Sequence, residues 1–400
     1  MKYVVLVPDG AADYPVPELG GRTPLQAADI PNMDRLAREG RGGMVQMIPE
    51  SRPPGSDIGN LEIFGYDTRL HYSGRAPLEA VSMGIELGEE DVAFRCNLIH
   101  RDGDTLVDYS AGHISTEEGG ALLQELADAV TTQEGIRFYP GVGYRHLMVF
   151  SNGPQELISF PPHDIMGESI SAHLPTGDRQ EEVRRLMEAA EPILLRSEVN
   201  RRRASLGMPT ANGMWLWGSG RALKLEGLTE KYGLRGGVIS AVDLVRGIGQ
   251  CAGLEVIEVP GITGYLDTNY AGKAAYALAA LERGMDFVYL HVEAPDEAGH
   301  NADAYAKKQA LEDFDRHVVG RIMVALEQLG PSRVLLTPDH RTPVELRTHS
   351  REPVPFALWG TNVPSDGLQA YSEAAGEAGS FQVERGHELM THLIGARRGS

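Results

Sequence analysis

Three short, largely apolar runs along the chain share one ending. Each run is followed shortly by an aspartate: residues 3–7 precede Asp9, residues 287–292 precede Asp296, and residues 334–337 precede Asp339. Continuous runs of this length are typical of parallel strands that helices cover on both faces. Because ligands of open α/β sheets bind beyond the carboxyl ends of the strands, we expect the three aspartates to lie along one edge of a sheet.

Helical patterns lie between these runs. Asn32 precedes apolar residues at helical spacing, and we expect it to cap a helix that ends at Gly40. Residues 303–329 repeat apolar side chains at the same spacing before Gly330. Strand, helix and strand therefore alternate along the chain, which predicts an α/β fold whose parallel sheet is sandwiched by helices.

The middle of the chain mixes strands with helices, and none of its strands ends in an acid. Ser115 and Glu118 form a capping-box sequence before one helix, and residues 181–195 indicate another. Strand-like segments cover residues 92–98, 138–139, 147–150 and 157–160. This mixture predicts an α+β domain inserted into the α/β domain.

The insertion sets the predicted domain boundaries. We assign residues 1–72 and 229–400 to a discontinuous α/β domain and residues 73–228 to the inserted domain, because residues 237–240 have the pattern of sheet again. A single domain with long excursions is the alternative. No stretch approaches the roughly 18 apolar residues of a membrane helix, and the first residues reach Asp9 too soon for a secretory signal, so we expect a cytoplasmic protein without a membrane partner.

Charge and cysteine content narrow the class of protein further. A net charge of −19 would repel a nucleic-acid backbone, so we expect no nucleic-acid partner. The densest basic run, residues 201–203, is expected on a solvated helix face rather than in a phosphate clamp. Cys96 and Cys251 are the only cysteines, which excludes a thiolate zinc site and suits a reducing compartment. The sequence does not indicate an oligomeric state.

The residues that carry the predicted chemistry are three carboxylates and three imidazoles. Singly, each could be a strand-end cap or a structural histidine. Together they are more specific, because Asp296 and His300 are one helical turn apart and His349 follows the adjacent pair Asp339 and His340 on a short polar loop. With Asp9, these mixed nitrogen and oxygen ligands suit Mn²⁺ or Zn²⁺ better than Ca²⁺, and they suffice for two ions. Two divalent ions are the arrangement that in-line phosphoryl displacement uses.

Ser56 is the candidate nucleophile. It lies in a Pro/Gly turn, Pro53-Pro54-Gly55-Ser56-Asp57, that leads into an apolar segment. Coordination to a metal would lower the pKa of its hydroxyl and make it competent for attack. Gly-Ser-Asp is a common turn, and taken alone it would be interpreted as structural.

The segment Ser56-Asp57-Ile58-Gly59-Asn60-Leu61 resembles the nucleophile segment of the cofactor-independent phosphoglycerate mutases, which belong to the alkaline phosphatase superfamily. The six candidate ligands match the metal ligands of that family in order and spacing. The resemblance extends to residues 74–80, 94–97 and 247–249, and it is greatest for the shorter, archaeal-type branch.

This resemblance implies an alkaline phosphatase-like fold and a division of the ligands between two ions. The α/β domain would bind both metals, with Mn²⁺ expected first and Zn²⁺, Co²⁺ or Mg²⁺ as alternatives. One ion would be held by Asp9, Ser56, Asp339 and His340, and the other by Asp296, His300 and His349.

The resemblance also implies a small phosphorylated substrate, bound with the help of the inserted domain in a cleft between domains. Arg75 and Arg95 are expected to clamp its carboxylate or phosphate, because a guanidinium fork matches such anions. Weaker candidates are Arg145, His146, His163, Asp164 and Arg221. Any one of the arginines, Arg75 and Arg95 included, could instead form a surface ion pair. Arg246 is the predicted catalytic residue at the place where the mutases have a lysine.

Two activities follow from the resemblance. The first is interconversion of 3-phosphoglycerate and 2-phosphoglycerate through a phosphoserine at Ser56. The second is a homoserine kinase that uses ATP, because residues 108–113 and 264–270 look more like a sister group proposed to have that activity. We favour the mutase. A binding protein without catalysis would require all six aligned ligands to be incidental.

Overall fold

The apolar runs identified in the sequence form neighbouring parallel strands. The computed structural model describes residues 1–130 and 135–395. In chain order its strands are β1 Lys2–Pro8, β2 Arg41–Val45, β3 Asp91–Asp102, β4 Thr105–Asp108, β5 Ile136–Tyr139, β6 Arg145–Ser151, β7 Leu157–Ile158, β8 Thr176–Gly177, β9 Gly213–Arg221, β10 Gly236–Ile239, β11 Glu255–Val256, β12 Phe287–Val292, β13 Ser332–Leu336 and β14 Val354–Gly360.

Helices connect and cover these strands. In chain order they are α1 Pro24–Ala27, α2 Pro31–Glu39, α3 Ser56–Ile63, α4 Thr68–His71, α5 Arg75–Ser82, α6 Thr116–Val130, α7 Gln180–Leu194, α8 Glu198–Ser205, α9 Leu228–Tyr232, α10 Asp243–Cys251, α11 Tyr270–Glu282, α12 Ala294–His300, α13 Ala304–Phe314, α14 Gly320–Leu329, α15 Glu373–Ala378 and α16 Glu388–Ile394. Short 3-10 helices cover Pro17–Leu19, Pro162–Ile165 and Ser171–His173, and a π-helical turn covers Asp315–Val319. Within the described residues, no helix is both long and apolar enough to cross a membrane.

The chain divides into two compact units. The larger unit contains Met1–Tyr72 and the chain from Lys224 onward, and the smaller unit is Ser73–Leu223. The sequence-based boundaries were drawn at residues 72 and 228.

The larger unit contains a seven-stranded sheet in the order β11-β10-β12-β1-β13-β14-β2. The pairs from β11 through β13 are parallel, whereas β14 runs antiparallel to both of its neighbours. Because β1 lies between β12 and β13, the carboxyl ends of the three acid-tipped strands are adjacent. The predicted α/β class, with its helix-covered parallel sheet, is confirmed.

The central strands are apolar along their whole length because both faces of the sheet are covered. Val4 and Leu6 of β1 are fully buried against a core to which α2, α11, α13 and α14 contribute. On the other face, Tyr289 of β12 stacks on Phe64 next to α3, with ring centroids 4.0 Å apart. Side chains alternate between the faces of a strand, so one strand serves both cores.

The predicted cap of α2 is wrong. The helix begins at Pro31, so Asn32 lies within its first turn instead of at the N-cap. A residue far along the chain accepts hydrogen bonds from this first turn of α2. The Asp315 carboxylate accepts from the Met33 amide at 2.7 Å and from the Asn32 side chain at 2.7 Å. The π-helical turn that contains Asp315 interrupts the long helix predicted for residues 303–329, which is otherwise helical.

The smaller unit is built on an antiparallel sheet in the order β4-β3-β6-β5, with β9 also paired to β3. Ser115 caps α6 as predicted, accepting from the Glu118 amide at 3.2 Å. On one face of the sheet, Ala76 and Ala80 of α5 pack against apolar residues of β3 and β6. Arg95 of β3 lies opposite Trp217 of β9 on this face. This mixture of strands and helices is the predicted α+β insertion.

Candidate active site

The aspartates at the strand ends lie in two groups of side chains that could hold a metal ion. In each group the potential ligand atoms all lie within 4.8 Å of one another. The first group is Asp9, Asp339 and His340, and the second is Asp296, His300 and His349. The structure therefore brings together all six residues that the sequence singled out as ligands.

The two groups are joined through His340 and Thr342. The rings of His340 and His349 are 4.1 Å apart between centroids. The Thr342 hydroxyl donates to Asp296 Oδ1 and lies 3.2 Å from His340 Nδ1. These contacts make the six side chains one continuous cluster.

Ser56 lies beside the first group. It is the first residue of α3, and its Oγ is 3.0 Å from His340 Nε2. The position at a helix N-terminus favours negative charge on the hydroxyl or on an incoming phosphate. Helix α3 can approach the segment after β13 this closely because residue 59 is glycine: a Cβ there would lie 2.3 Å from the Asp339 carbonyl oxygen.

Asp339 is held by hydrogen bonds to both of its carboxylate oxygens. The Gly10 amide donates to Oδ1 at 3.1 Å, and the Asn60 side-chain amide donates to Oδ2 at 2.8 Å. Asn60 is oriented in turn by the Tyr289 hydroxyl, which donates to its Oδ1 at 2.5 Å. The sequence analysis missed both positioning residues, although Ser56 and Asn60 are spaced to share one face of a helix.

Asp9 has one carboxylate oxygen in use and one without a partner. Its Oδ2 is 3.0 Å from His291 Nε2. Its Oδ1 is buried and accepts no hydrogen bond from the described residues, and His340 Nε2 lies 3.5 Å from it. Burial and the neighbouring charges of Asp339 and Asp296 raise the pKa of Asp9 well above its usual value.

The donor set of the first group fits a divalent cation. A buried carboxylate oxygen without a hydrogen-bond donor is costly unless a cation meets it. Burial lowers the pKa of His340 to about 4, so its imidazole is neutral and can offer a lone pair to a metal. The site thus has the chemistry of a divalent metal centre.

The second group has its ligand atoms turned toward one another. His300 Nε2 is 3.3 Å from Asp296 Oδ2 and 3.0 Å from His349 Nε2. Burial opposes a charge on His300, but the hydrogen bond and charge of Asp296 prevail and raise its pKa to about 9. His300 Nδ1 lies 2.9 Å from the Arg347 carbonyl oxygen, to which its N–H can donate, which leaves Nε2 for a metal.

A buried ion pair supports the loops that carry these ligands. Lys307 Nζ donates to Asp13 Oδ2 at 2.7 Å and to the Thr342 carbonyl oxygen at 2.8 Å, and both charged side chains are fully buried. Arg341 donates to the carbonyl oxygens of Asp13 and Pro353. Because these contacts span loops far apart in the sequence, no local pattern predicted them.

Arg246 is not brought into this cluster. Its guanidinium pairs with Glu258 and lies 4.0 Å from Asp243, on the same helix α10. The proposed catalytic role of Arg246 therefore rests on the sequence resemblance alone.

A third group of potential ligands, Glu62, Asp67 and His387, also lies in the larger unit. Both oxygens of the Glu62 carboxylate are already used. One accepts from the Thr68 amide and hydroxyl, and the other contacts the His387 amide and ring. This group is accounted for by its internal hydrogen bonds.

The predicted substrate clamps form a positively charged cluster within the smaller unit. We call Arg75, Arg95 and Arg145 the arginine cluster. Glu79 accepts from Arg75 at 3.1 Å and lies 3.0 Å from Arg95 Nε, so one carboxylate serves two guanidinium groups. Burial, with the charges of Arg75 and Arg145 and against that of Glu79, lowers the pKa of Arg95 to about 10. Three guanidinium groups close together make this face suitable for an anion.

Aromatic rings support the arginine cluster. The Arg95 guanidinium lies 4.4 Å from the centre of the Trp217 ring, a cation–π contact. His163 packs edge-on against the same Trp217, with ring centroids 5.6 Å apart. Trp217 is thus both largely buried and part of this face.

Three further residues that the sequence predicted to bind substrate are His146, Arg221 and Asp164. His146 lies on the opposite face of β6 from Arg145, fully buried, with its Nδ1 accepting from the Gly141 amide at 3.1 Å. Arg221 pairs with Glu90. Asp164 is exposed, 3.8 Å from His163 Nε2. The structure therefore joins His163 to the arginine cluster but not His146 or Arg221.

The chain is similar to a known protein family and to an individual protein that has the same name as the family. Residues 37–200 match the family described as 2,3-bisphosphoglycerate-independent phosphoglycerate mutase. The probable 2,3-bisphosphoglycerate-independent phosphoglycerate mutase of Geobacter sulfurreducens is 52% identical over 399 residues, which covers 98% of this chain and 100% of the relative.

Two solved structures share the fold. A Pyrococcus horikoshii protein is 28% identical with a TM-score of 0.82, covering 100% of this chain and 99% of its own. The cofactor-independent phosphoglycerate mutase of Thermoplasma acidophilum is 27% identical with a TM-score of 0.65, covering 98% of this chain and 99% of its own.

The hydrogen bond from Tyr289 to Asn60 should contribute measurably to stability. Tyr289→Phe keeps the stacking on Phe64 but leaves Asn60 Oδ1 buried without a donor, so we expect the free energy of unfolding in urea to fall by about 1–3 kcal/mol. The matched control is Tyr270→Phe, because the buried Tyr270 hydroxyl has no hydrogen-bond partner among the described residues. Equal losses in both variants would contradict the role given to Tyr289.

Proposed function

The chain belongs to the 2,3-bisphosphoglycerate-independent phosphoglycerate mutase family and is an isomerase of phosphoglycerate, and we propose that it works through a phosphoserine formed at Ser56. The observation that carries this proposal is the position of Ser56 Oγ, at a helix N-terminus and 3.0 Å from His340 within a cluster of buried ligands. Ser56 is the side chain in that cluster whose chemistry suits attack on phosphorus.

We propose two divalent ions in this site. Asp9, Ser56, Asp339 and His340 would hold one, and Asp296, His300 and His349 the other. When bound, such ions supply positive charge for the phosphoryl group and lower the pKa of the serine hydroxyl. Mn²⁺ is the proposed metal because the ligands mix nitrogen and oxygen, with Zn²⁺, Co²⁺ and Mg²⁺ as alternatives.

The reaction consists of two transfers that balance each other. In the first, Ser56 Oγ forms a bond to phosphorus, the bond from phosphorus to the substrate's oxygen breaks, and the departing glycerate gains the proton that the serine loses. In the second, the other glycerate hydroxyl takes the phosphoryl group, and Ser56 regains a proton. The same group returns to the same molecule, so no second substrate is consumed.

The arginine cluster is proposed to bind the substrate's anionic groups. Its support is local: the charges of Arg75 and Arg145 both act on Arg95, and Glu79 is shared by Arg75 and Arg95, so three guanidinium groups lie together in the smaller unit. A guanidinium can bind a carboxylate through two parallel hydrogen bonds. His163 is proposed to assist, because it lies on Trp217 beside Arg95.

The homoserine kinase alternative is not favoured. The relative from Geobacter sulfurreducens, 52% identical, bears the mutase name. The carboxylates that were considered for a substrate amino group are engaged in their own loops. Asp108 accepts from the Ser110 amide and hydroxyl and from the Gly112 amide, and Asp267 accepts from the Thr263 hydroxyl at 2.6 Å.

Substitution of the nucleophile tests the proposal directly. In Ser56→Ala, the conversion of 3-phosphoglycerate to 2-phosphoglycerate, followed by phosphorus NMR with Mn²⁺ present, should slow by roughly a thousandfold or more, because no other group takes over the phosphoryl. The control is Ser51→Ala, an exposed serine in the preceding turn. Near wild-type turnover in Ser56→Ala would exclude the phosphoserine. If only ATP and homoserine gave product in a parallel tube, the substrate assignment would be wrong and the serine chemistry would remain.

Removal of one ligand from each group should change metal content. His300→Ala and Asp339→Asn are each expected to lose about one of two bound ions per chain, measured by mass spectrometry of the purified protein, and to lose activity with it. His387→Ala is the control, because its carboxylate partner Glu62 is already hydrogen-bonded. Full metal content in both ligand variants would mean that the ions bind elsewhere.

The proposed role of the arginine cluster leads to a separate prediction. Arg95→Met keeps the apolar stem against Trp217 and removes the charge, and the KM for 3-phosphoglycerate should rise roughly tenfold to hundredfold, since a hydrogen bond to a charged group is worth about 1.5–3 kcal/mol. Arg137→Met is the control, because Arg137 of β5 lies in the same sheet but pairs with Asp91 of β3. An unchanged KM in a folded Arg95→Met protein would assign Arg95 a structural role only.

A further inference from the structure

We infer that His291 is a positioning residue that holds Asp9 so that a single carboxylate oxygen, Oδ1, is left for the metal. The inference rests on the proposed function, because it takes Asp9 to be a ligand. His291 was not among the residues that the sequence singled out: it lies within the second apolar run, residues 287–292, and is fully buried.

The register of the sheet places His291 next to the segment that carries Asp9. His291 of β12 pairs with Val7 of β1, two residues before Asp9. Its Nε2 is 3.0 Å from Asp9 Oδ2. The opposite oxygen, Oδ1, is the one that is buried without a hydrogen bond from the described residues.

The hydrogen bonds around His291 favour one of its two neutral tautomers. The Val242 amide donates to Ser240 Oγ at 3.0 Å, so the serine oxygen serves as an acceptor and its own hydrogen is directed elsewhere. Ser240 Oγ lies 3.2 Å from His291 Nδ1, which can accept that hydrogen. The proton of the neutral ring is then on Nε2, where it donates to Asp9.

His291 is not itself a suitable ligand. Both of its ring nitrogens are occupied, Nδ1 by Ser240 and Nε2 by Asp9. Its backbone is also fixed, because the buried Lys273 Nζ donates to the His291 carbonyl oxygen at 2.8 Å. The side chain therefore acts on the metal centre only through the carboxylate of Asp9.

Strand β12 thus orients both carboxylates of the first group. Tyr289 and His291 are two residues apart and lie on the same face of the strand. Tyr289 donates to Asn60, which donates to Asp339, while His291 donates to Asp9. Neither residue contributes a ligand atom, yet together they fix how two ligands are presented.

The test is the affinity for Mn²⁺, measured by calorimetric titration of the metal-stripped full-length protein. His291→Leu removes the donor and should weaken binding at one of the two sites by about 10–100-fold, the usual effect of losing a partner that orients a ligand. His291→Gln, whose side-chain amide can still donate to Asp9, should recover much of this loss. Ser240→Ala, which keeps the imidazole but frees its tautomer, should weaken Mn²⁺ binding in the same direction by a smaller factor.

A matched control separates an effect on the orientation of Asp9 from an effect on the stability of the folded protein. Leu290→Ala changes the neighbouring residue on β12, which faces the core on the other side of the sheet. It should lower the midpoint of thermal unfolding while leaving the affinity for Mn²⁺ unchanged. If His291→Leu does not fold, Ser240→Ala and His291→Gln carry the test.

The outcomes distinguish this inference from the proposed function. Wild-type affinity in His291→Leu, or equal losses in the Leu and Gln variants, would overturn the role of His291 while Asp339→Asn still loses an ion. Absence of Mn²⁺ binding to the wild-type protein would overturn the metal centre and this inference together. Loss of affinity in Leu290→Ala equal to that in His291→Leu would also overturn it, because stability alone would then explain the effect.

Discussion

The accumulation of negative charge at one edge of the parallel sheet is the constraint on which the rest of the site depends. Asp9, Asp296 and Asp339 are almost completely buried. Carboxylates in such surroundings are strongly disfavoured unless cations or hydrogen-bond donors compensate them. Neighbouring imidazoles, backbone amides and the Asn60 side chain meet part of this demand. Asp9 Oδ1 is the clearest example of a buried carboxylate oxygen that these groups leave without a donor, and it marks a position suited to a cation.

The sheet provides this arrangement because three parallel strands end side by side. A parallel register delivers residues after each strand to one edge, and helices on both faces exclude water from it. The same strands also supply the supporting hydrogen bonds, from Tyr289 on β12 and from the Gly10 amide after β1. Fold and site are therefore built from the same few segments, and a shift of one strand would displace ligands and supports together.

The sequence predicted the fold class and the residues that would meet, but not the groups that orient them. Apolar runs that are followed by an acidic residue predict buried parallel strands whose carboxyl ends share one edge of a sheet. Asp9 and Asp339 could therefore be placed together from the sequence. His291 and Tyr289 lie inside an apolar run and look like core residues, because their roles depend on register with β1 and on contact with α3. The cap of α2 was missed for a similar reason: its acceptor, Asp315, comes from 283 residues away.

The shared carboxylate of Glu79 has a consequence for the turnover of a reversible enzyme. Arg75 and Arg95 are already paired with the carboxylate of Glu79, so in the proposed role of these arginines an incoming anion would compete with that carboxylate. This competition keeps the two guanidinium groups oriented before binding and limits how tightly any anion can be retained afterwards. Substrate and product carry the same anionic groups, so the limit applies equally to both. If the arginine cluster binds the substrate as proposed, Glu79 would therefore favour release of the bound anion in either direction of the reaction.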